Sequence, residues 1–146
     1  PESAEYAAAV HSAGVCLMRL HRYSESITML TLSLTIRLKV LGDKDPETAQ
    51  AYNDLGYAYG KAGDKVKEME NVEKGLSIRK AVLGETHIDT GLSYKNLSLA
   101  LERQGKHTEA LEAAQKSLEI VRSKYGDLNP ETTKILSTMA HLLGNI

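Results

Sequence analysis

Few side chains in this 146-residue chain are spaced for chemistry. The five histidines, His11, His21, His87, His107 and His141, show neither the HxxxH nor the HExxH spacing that sets two imidazoles on one helix face, so no metal is expected. The lone cysteine, Cys16, lies between Gly14 and Leu17 and reads as a small packing residue, not a nucleophile. Gly56, Gly60 and Gly63 suggest a phosphate loop, but no Gly-Lys-Ser/Thr element accompanies them, and they read as packing and capping residues of a helix. No paired acid and base and no activated nucleophile fall on one surface, which argues for a non-enzymatic protein that uses no cofactor. What remains is recognition chemistry. Arg19, Lys61 and Arg103 recur at equal spacing, and aligned cations suit charge-assisted hydrogen bonds to carboxylates.

Composition narrows the partner. The 18 basic and 19 acidic residues give a formal charge of −1, without the basic excess of nucleic-acid binders. No apolar run approaches the ~18 residues of a membrane-spanning helix, and no charged-then-apolar leader opens the chain, so neither nucleic acid nor membrane is expected as a partner. A single cysteine excludes an internal disulfide framework and suits a reducing compartment, so the expected location is cytoplasmic. The chain begins at Pro1 without Met and stops after the apolar HLLGNI, which reads as a piece of a larger parent chain.

The elements that must position these cations come from a repeat. GDKDPET from Gly42, GETHIDT from Gly84 and GDLNPET from Gly126 recur every 42 residues. Units 3–44, 45–86 and 87–128, followed by 129–146, then align position by position within one domain, 1–146. Leu34, Leu76 and Leu118 correspond, as do Ala13, Leu55, Leu97 and Met139, and Gly14, Gly56, Ser98 and Ala140 follow at once. Such a period marks stacked units, each a single supersecondary element. Asp45-Pro46 and Asn129-Pro130 supply an N-cap oxygen and a proline at the first helical position, so a helix A begins there. Gly63 and Gly105 end it where φ must be positive. Helix B runs on to about Leu41, Leu83 and Tyr125. The stretch ITMLTLSLTI, Ile27 to Ile36, alternates like a strand, but its repeat mates VEKGLSI and AQKSLEI are helix formers, and it is assigned helix.

Small residues at Gly56 and Ser98, aromatic or aliphatic ones at Tyr52, Tyr59, Tyr94 and Leu101, and small ones again at Ser33, Gly75 and Ser117 resemble the tetratricopeptide repeat (TPR). The 42-residue period and KNLSLALERQGKHTEALEAAQKSLEI are similar to the long repeats of kinesin light chains and nephrocystin-like proteins. The resemblance implies an all-α, right-handed superhelical solenoid of about 3.5 repeats in seven antiparallel helices, with Pro130 to about Leu143 as C-terminal cap. It also implies an adaptor or scaffold that binds a protein or peptide. Two positions depart from the pattern. Glu68 replaces a small residue, Ser26 or Ala110 in its mates, so that packing is looser there or the carboxylate reaches solvent, and Ile88 replaces the linker proline, weakening that helix start.

On the face of helix A opposite its apolar side, three rows emerge. The first is Arg19, Lys61 and Arg103, closed by Asn145; the second Val15, Tyr57, Leu99 and His141; the third His11, Asn53, Lys95 and Ser137, with Asn96 and Lys134 nearby. An apolar row between basic and amide rows suits an extended peptide that carries acidic residues beside a bulky apolar anchor. The same cations also complement the helix dipole with no ligand, and the apolar row also suits helix packing. A second surface offers an alternative function, self-association as a homodimer or docking within a larger assembly. Met29, Leu32 and Leu38 are apolar where the second unit has Asn71, Lys74 and Lys80.

Overall fold

A computed structural model describes residues 3–146; Pro1, on which the reading of a chain without Met rests, lies outside the described residues. Seven helices follow one another: α1 (Ala4–Arg19), α2 (Tyr23–Val40), α3 (Pro46–Ala62), α4 (Lys65–Leu83), α5 (Ile88–Arg103), α6 (His107–Tyr125) and α7 (Pro130–Leu143). No strand occurs among the described residues. The strand-like ITMLTLSLTI lies wholly within α2, and its hydroxyls explain how. Thr28 and Thr35 donate to the carbonyls of Ser24 and Thr31 one turn back, at 3.1 and 2.9 Å, and Ser33 reaches the Ala7 carbonyl at 2.8 Å. These three hydroxyls are thus satisfied while their residues stay helical.

Helix starts follow the predicted caps. The Asp45 carboxylate accepts from the Glu47 N–H at 2.8 Å, and the Asn129 side chain accepts from the Glu131 N–H at 2.9 Å. At α5, where Ile88 stands in place of proline, the His87 Nδ1 accepts from the Asp89 N–H at 3.0 Å. An imidazole cap therefore supplies what the missing proline does not. At the other end of helix A, Gly63 and Gly105 have φ of 93° and 78°. Their mate in the first repeat is His21, which holds a left-handed φ of 60° and a 2.7 Å contact from its Nδ1 to the Tyr23 hydroxyl.

One interaction recurs in all the linkers. Thr48, Thr90 and Thr132, all buried, donate their hydroxyls to the carbonyls of Gly42, Gly84 and Gly126 at 2.8, 2.8 and 2.7 Å. The three glycines have φ of 88°, 95° and 81°, so each helix B ends in a left-handed turn whose carbonyl points into the first turn of the next helix A. The second linker is further held by the Tyr94 hydroxyl, which donates to Glu85 at 2.9 Å. Burial and this bond push the phenol above its ordinary value, while the bond draws the Glu85 carboxyl below its own.

The helices pack in two compact units, one extending to Ile78 and the other from Arg79 to Ile146. In the first, α2 packs on α1 and on α3 around Leu30, Leu34, Ala51, Leu55 and Ala58. Helix crossings are close because one partner is small: a Cβ on Gly14 would lie 2.8 Å from the Leu30 Cγ. Glu68 does not reach solvent, as one alternative for it required. It is 1% exposed, and a Cβ on Gly56 would lie 3.2 Å from its carbonyl, so the crossing is tight. In the second unit α6 packs on α5 and on α7, with Ala110, Ala114, Val121, Ile135 and Leu142 buried. Cys16, read as a core residue, is exposed; its mates Ala58, Ala100 and Leu142 are buried, and among the described residues no helix precedes α1 to cover that face.

Thr90→Val keeps the side-chain shape and removes the linker hydroxyl. The Gly84 carbonyl then loses its partner at a buried donor site, so the urea midpoint is expected to fall with an unchanged m-value, corresponding to about 1–3 kcal/mol.

Candidate peptide-binding surface

In the first unit the predicted rows divide between surface and interior. Arg19 and Lys61 stand exposed in the last turns of α1 and α3. The Lys61 ammonium lies 5.5 Å from the ring centroid of half-buried Tyr57, within cation–π range. Val15 is half-buried against the core cluster. His11 faces inward instead: it is 5% exposed, and its Nε2 lies 2.7 Å from the Asp54 Oδ2. The Arg37 guanidinium donates to the His11 Nδ1 at 3.4 Å, which leaves the imidazole proton on Nε2 to donate to Asp54. Asn53 is likewise buried. The His11 and Asn53 row therefore belongs to the packing between helices, which corrects its placement on a ligand face.

Arg37 is a residue that sequence reasoning missed. Buried in α2, it also donates to the Glu47 carbonyl at 2.8 Å and the Gln50 side chain at 3.3 Å, both in the first turns of α3. Burial holds its guanidinium below the ordinary arginine value, opposed by the nearby Glu47, Asp54 and Asp45 carboxylates. Its mate Arg79 does the same one repeat later, donating to the Asp89 carbonyl at 3.0 Å and the Ser93 hydroxyl at 2.9 Å. The 42-residue recurrence of Arg37 and Arg79 was the available signal; Val121 in the third repeat interrupts it.

In the second unit, several predicted contacts are occupied by acids of the same unit. Lys95 pairs with Glu131 at 2.8 Å, and Lys134 reaches the other oxygen of Glu131 at 3.2 Å. The Lys95 hydrogen bond, opposed by desolvation and aided by the charges of both lysines, holds the Glu131 carboxyl below the usual carboxylate range. His141 lies 3.1 Å from Glu102, and Asn145 bonds back to the His141 carbonyl at 3.0 Å. Asn96 is buried. Leu99 and Arg103 remain half-buried on α5. The Lys95–Glu131 and His141–Glu102 contacts join α5 to α7 at sequence separations of 36 and 39, near the period but not on it, so comparison of strictly aligned positions passes over the acidic partners.

The assembly surface is smaller than expected. Met29 and Leu32 are exposed on α2, whereas Leu38 packs against the first core cluster. Among the described residues no three His, Cys, Asp or Glu side chains gather as a metal would need, and no helix is long and apolar enough to cross a membrane. A cleft of about 130 Å³ between α5 and α6, lined by Tyr94, Leu97 and Lys116 among others, is well under the few hundred Å³ of a small-molecule site.

Paired helices of fixed period, small residues at their crossings and an identical linker lock define a helical-repeat protein. The tetratricopeptide-repeat family model matches residues 5–81 and 69–123, and the chain belongs to the tetratricopeptide repeat family. No curated protein matches the chain. Among solved structures it is similar to the nearly identical TPR-like repeats of a Podosopora anserina protein assigned as a kinesin light chain. That match has 19% identity and a TM-score of 0.89, over 99% of this chain and 69% of that one. BtubC (BKLC) from P. vanneervenii matches with 14% identity and a TM-score of 0.84, over 95% of this chain; the chain spans 56% of that protein's length. The Sgt2 TPR domain of Aspergillus fumigatus matches at 20% identity and a TM-score of 0.68, over 95% of this chain and 80% of that domain. The fold is thus an all-α TPR fold whose neighbours include kinesin-light-chain-like repeats, the architecture of protein-interaction adaptors.

The lowered carboxyl of Glu131 sets a pH dependence. A depressed folded-state value contributes stability above the unfolded carboxylate value and loses it as pH falls through the folded one. Chemical denaturation from pH 7 down to pH 3 should therefore show a loss of stability below about pH 4.5. Glu131→Gln should remove part of that acid dependence while lowering stability at pH 7 by about 1 kcal/mol; an identical acid profile in the variant would count against the pairing.

Proposed function

We propose that the chain is a protein-interaction module that binds an extended partner segment with acidic residues around a bulky apolar side chain. In the first unit the receiving surface is Tyr57 with Arg19 and Lys61; in the second, Leu99 and Arg103 occupy the corresponding positions. The single observation that carries the reading is Lys61 over Tyr57. An exposed ammonium lies against a half-buried aromatic ring, and among the described residues neither Lys61 nor Arg19 is paired with a carboxylate. The contrast with Lys95 and Lys134, each held by an acid of its own unit, is what singles these two cations out.

The chemistry of such a surface is additive in kind. The ring offers an apolar face for an aliphatic or aromatic anchor, and the cations offer hydrogen bonds to carboxylates that flank it. Extended segments suit it because alternate side chains then point to one side. Membership of the TPR family and the net charge of −1 both accord with a protein ligand, not a nucleic acid. Self-association through α2 is the weaker reading, since Met29 and Leu32 alone make a patch well short of a stable interface.

The test is a peptide array of acidic sequences with one central aromatic or leucine, followed by titration of the best binder. Lys61→Glu combined with Arg19→Glu should weaken binding at least about tenfold at low salt, and the wild-type affinity should fall steeply as salt rises. Tyr57→Ala should weaken it at every salt concentration. Equal affinity of the double charge-reversal variant for the selected peptide would remove this surface from consideration.

A further inference from the structure

Two apolar side chains protrude from one end of the first unit, where the α1–α2 and α3–α4 turns lie. α2 packs on both α1 and α3, and the turns are short, so α1 and α3 run in the same direction and end side by side. Leu20 closes α1 and is 64% exposed; Val66 lies in the first turn of α4 and is 67% exposed. On the 42-residue period Leu20 corresponds to Ala62 and Gln104, and Val66 to Ser24 and Thr108, and all four mates are exposed. These positions face water in each repeat, and packing asks nothing apolar of them. Leu136 and Leu143 of α7 differ, being 39% and 59% exposed on a helix that no further helix follows among the described residues.

Cations surround the two. Arg19, Arg22, Lys61, Lys65 and Lys67 are all exposed at this end, in a chain whose formal charge is −1. The nearby acids are engaged or enclosed: Glu25 accepts from Arg22 at 2.8 and 2.6 Å, Asp64 accepts the Lys67 backbone N–H at 3.1 Å, and Glu68 is buried. We propose that this end of the first unit lies against an anionic lipid bilayer, with Leu20 and Val66 entering the boundary between headgroups and acyl chains and the cations meeting the headgroup anions. A protein partner would need a pocket for each protruding side chain, whereas a bilayer accepts apolar side chains wherever they fall. The negative surface potential attracts each cation, and the long stems of lysine and arginine let the apolar tips sink while the charges stay at headgroup level. In the second unit the corresponding turn presents Gln104 and Thr108, so the pairing of apolar tips with cations is particular to the first. That no helix among the described residues is long and apolar enough to cross a membrane bears on spanning a bilayer, not on lying against one.

Arg19 and Lys61 also serve the peptide surface, so the test leaves them unchanged and the two proposals fail independently. Sucrose-loaded vesicles of phosphatidylcholine, alone or with about 30% phosphatidylserine, are sedimented with the full chain. The protein is expected to sediment with the anionic vesicles only, and to be released as salt rises. Leu20→Gln combined with Val66→Thr copies the residues that the third repeat holds at these places, so the fold tolerates them; the pair should weaken binding at least about fivefold. Lys65→Glu with Lys67→Glu should weaken it at least about tenfold. Leu128→Gln, which removes a 98% exposed leucine from a linker of the second unit, should leave it unchanged. Circular dichroism of each variant separates a lost surface from a lost fold. No sedimentation with anionic vesicles, equal sedimentation with neutral ones, or full binding by either double variant overturns the proposal. So does a soluble poly-glutamate that binds the chain and loses affinity in the Leu20 and Val66 variant, which would give this end to an acidic protein.

Discussion

The hydrogen bond from a buried threonine to a linker glycine carbonyl is the constraint on which the rest of this structure depends. Thr48, Thr90 and Thr132 make it at nearly the same length. A helix ends with carbonyls that have no intrahelical partner, and the next helix begins with a buried first turn. One hydroxyl resolves both by tying the end of helix B to the start of helix A. Because glycine takes the positive φ at low cost, the turn is the same each time, and equivalent residues arrive at equivalent places. Without that constancy a row such as Arg19 and Lys61 would have no structural meaning.

Buried arginines add a second tie in the same region. Arg37 and Arg79 each reach from helix B to the first-turn carbonyl of the following helix A. A guanidinium is suited to this because several donors diverge from one planar group, so a carbonyl and a side chain can be met together. The cost is desolvation, which shows in the lowered value of Arg37. In the first unit the arginine also orients His11 toward Asp54, so one network joins α1, α2 and α3. Half-buried Tyr57 and exposed Lys61 thus rise from a helix that is held on two sides.

Much of the architecture was legible because it rests on local rules repeated at a known period. Asp45-Pro46 and Asn129-Pro130 announce helix starts, Gly63 and Gly105 announce ends, and repeat mates overrule the apparent strand in α2. The candidate surface was less legible. Arg19, Lys61 and Tyr57 were readable from alignment with the exposed face of helix A. The inward turn of His11 and Asn53 was not, nor was the capture of Lys95 by Glu131. Helix rotation within a few tens of degrees decides whether a residue at the edge of a face meets solvent or a neighbour, and the sequence period does not resolve that angle.

The sequence by itself determined the family, the repeat length, the seven helices and the Asp45 and Asn129 caps that open two of them. Those features depend on residues within one turn of each other or on exact recurrence. Only the tertiary structure decided which cations stay exposed, that Glu68 is enclosed, and that α7 carries an uncovered apolar face. Those depend on distances between side chains of different helices, at separations set by packing. No periodicity in the chain encodes them.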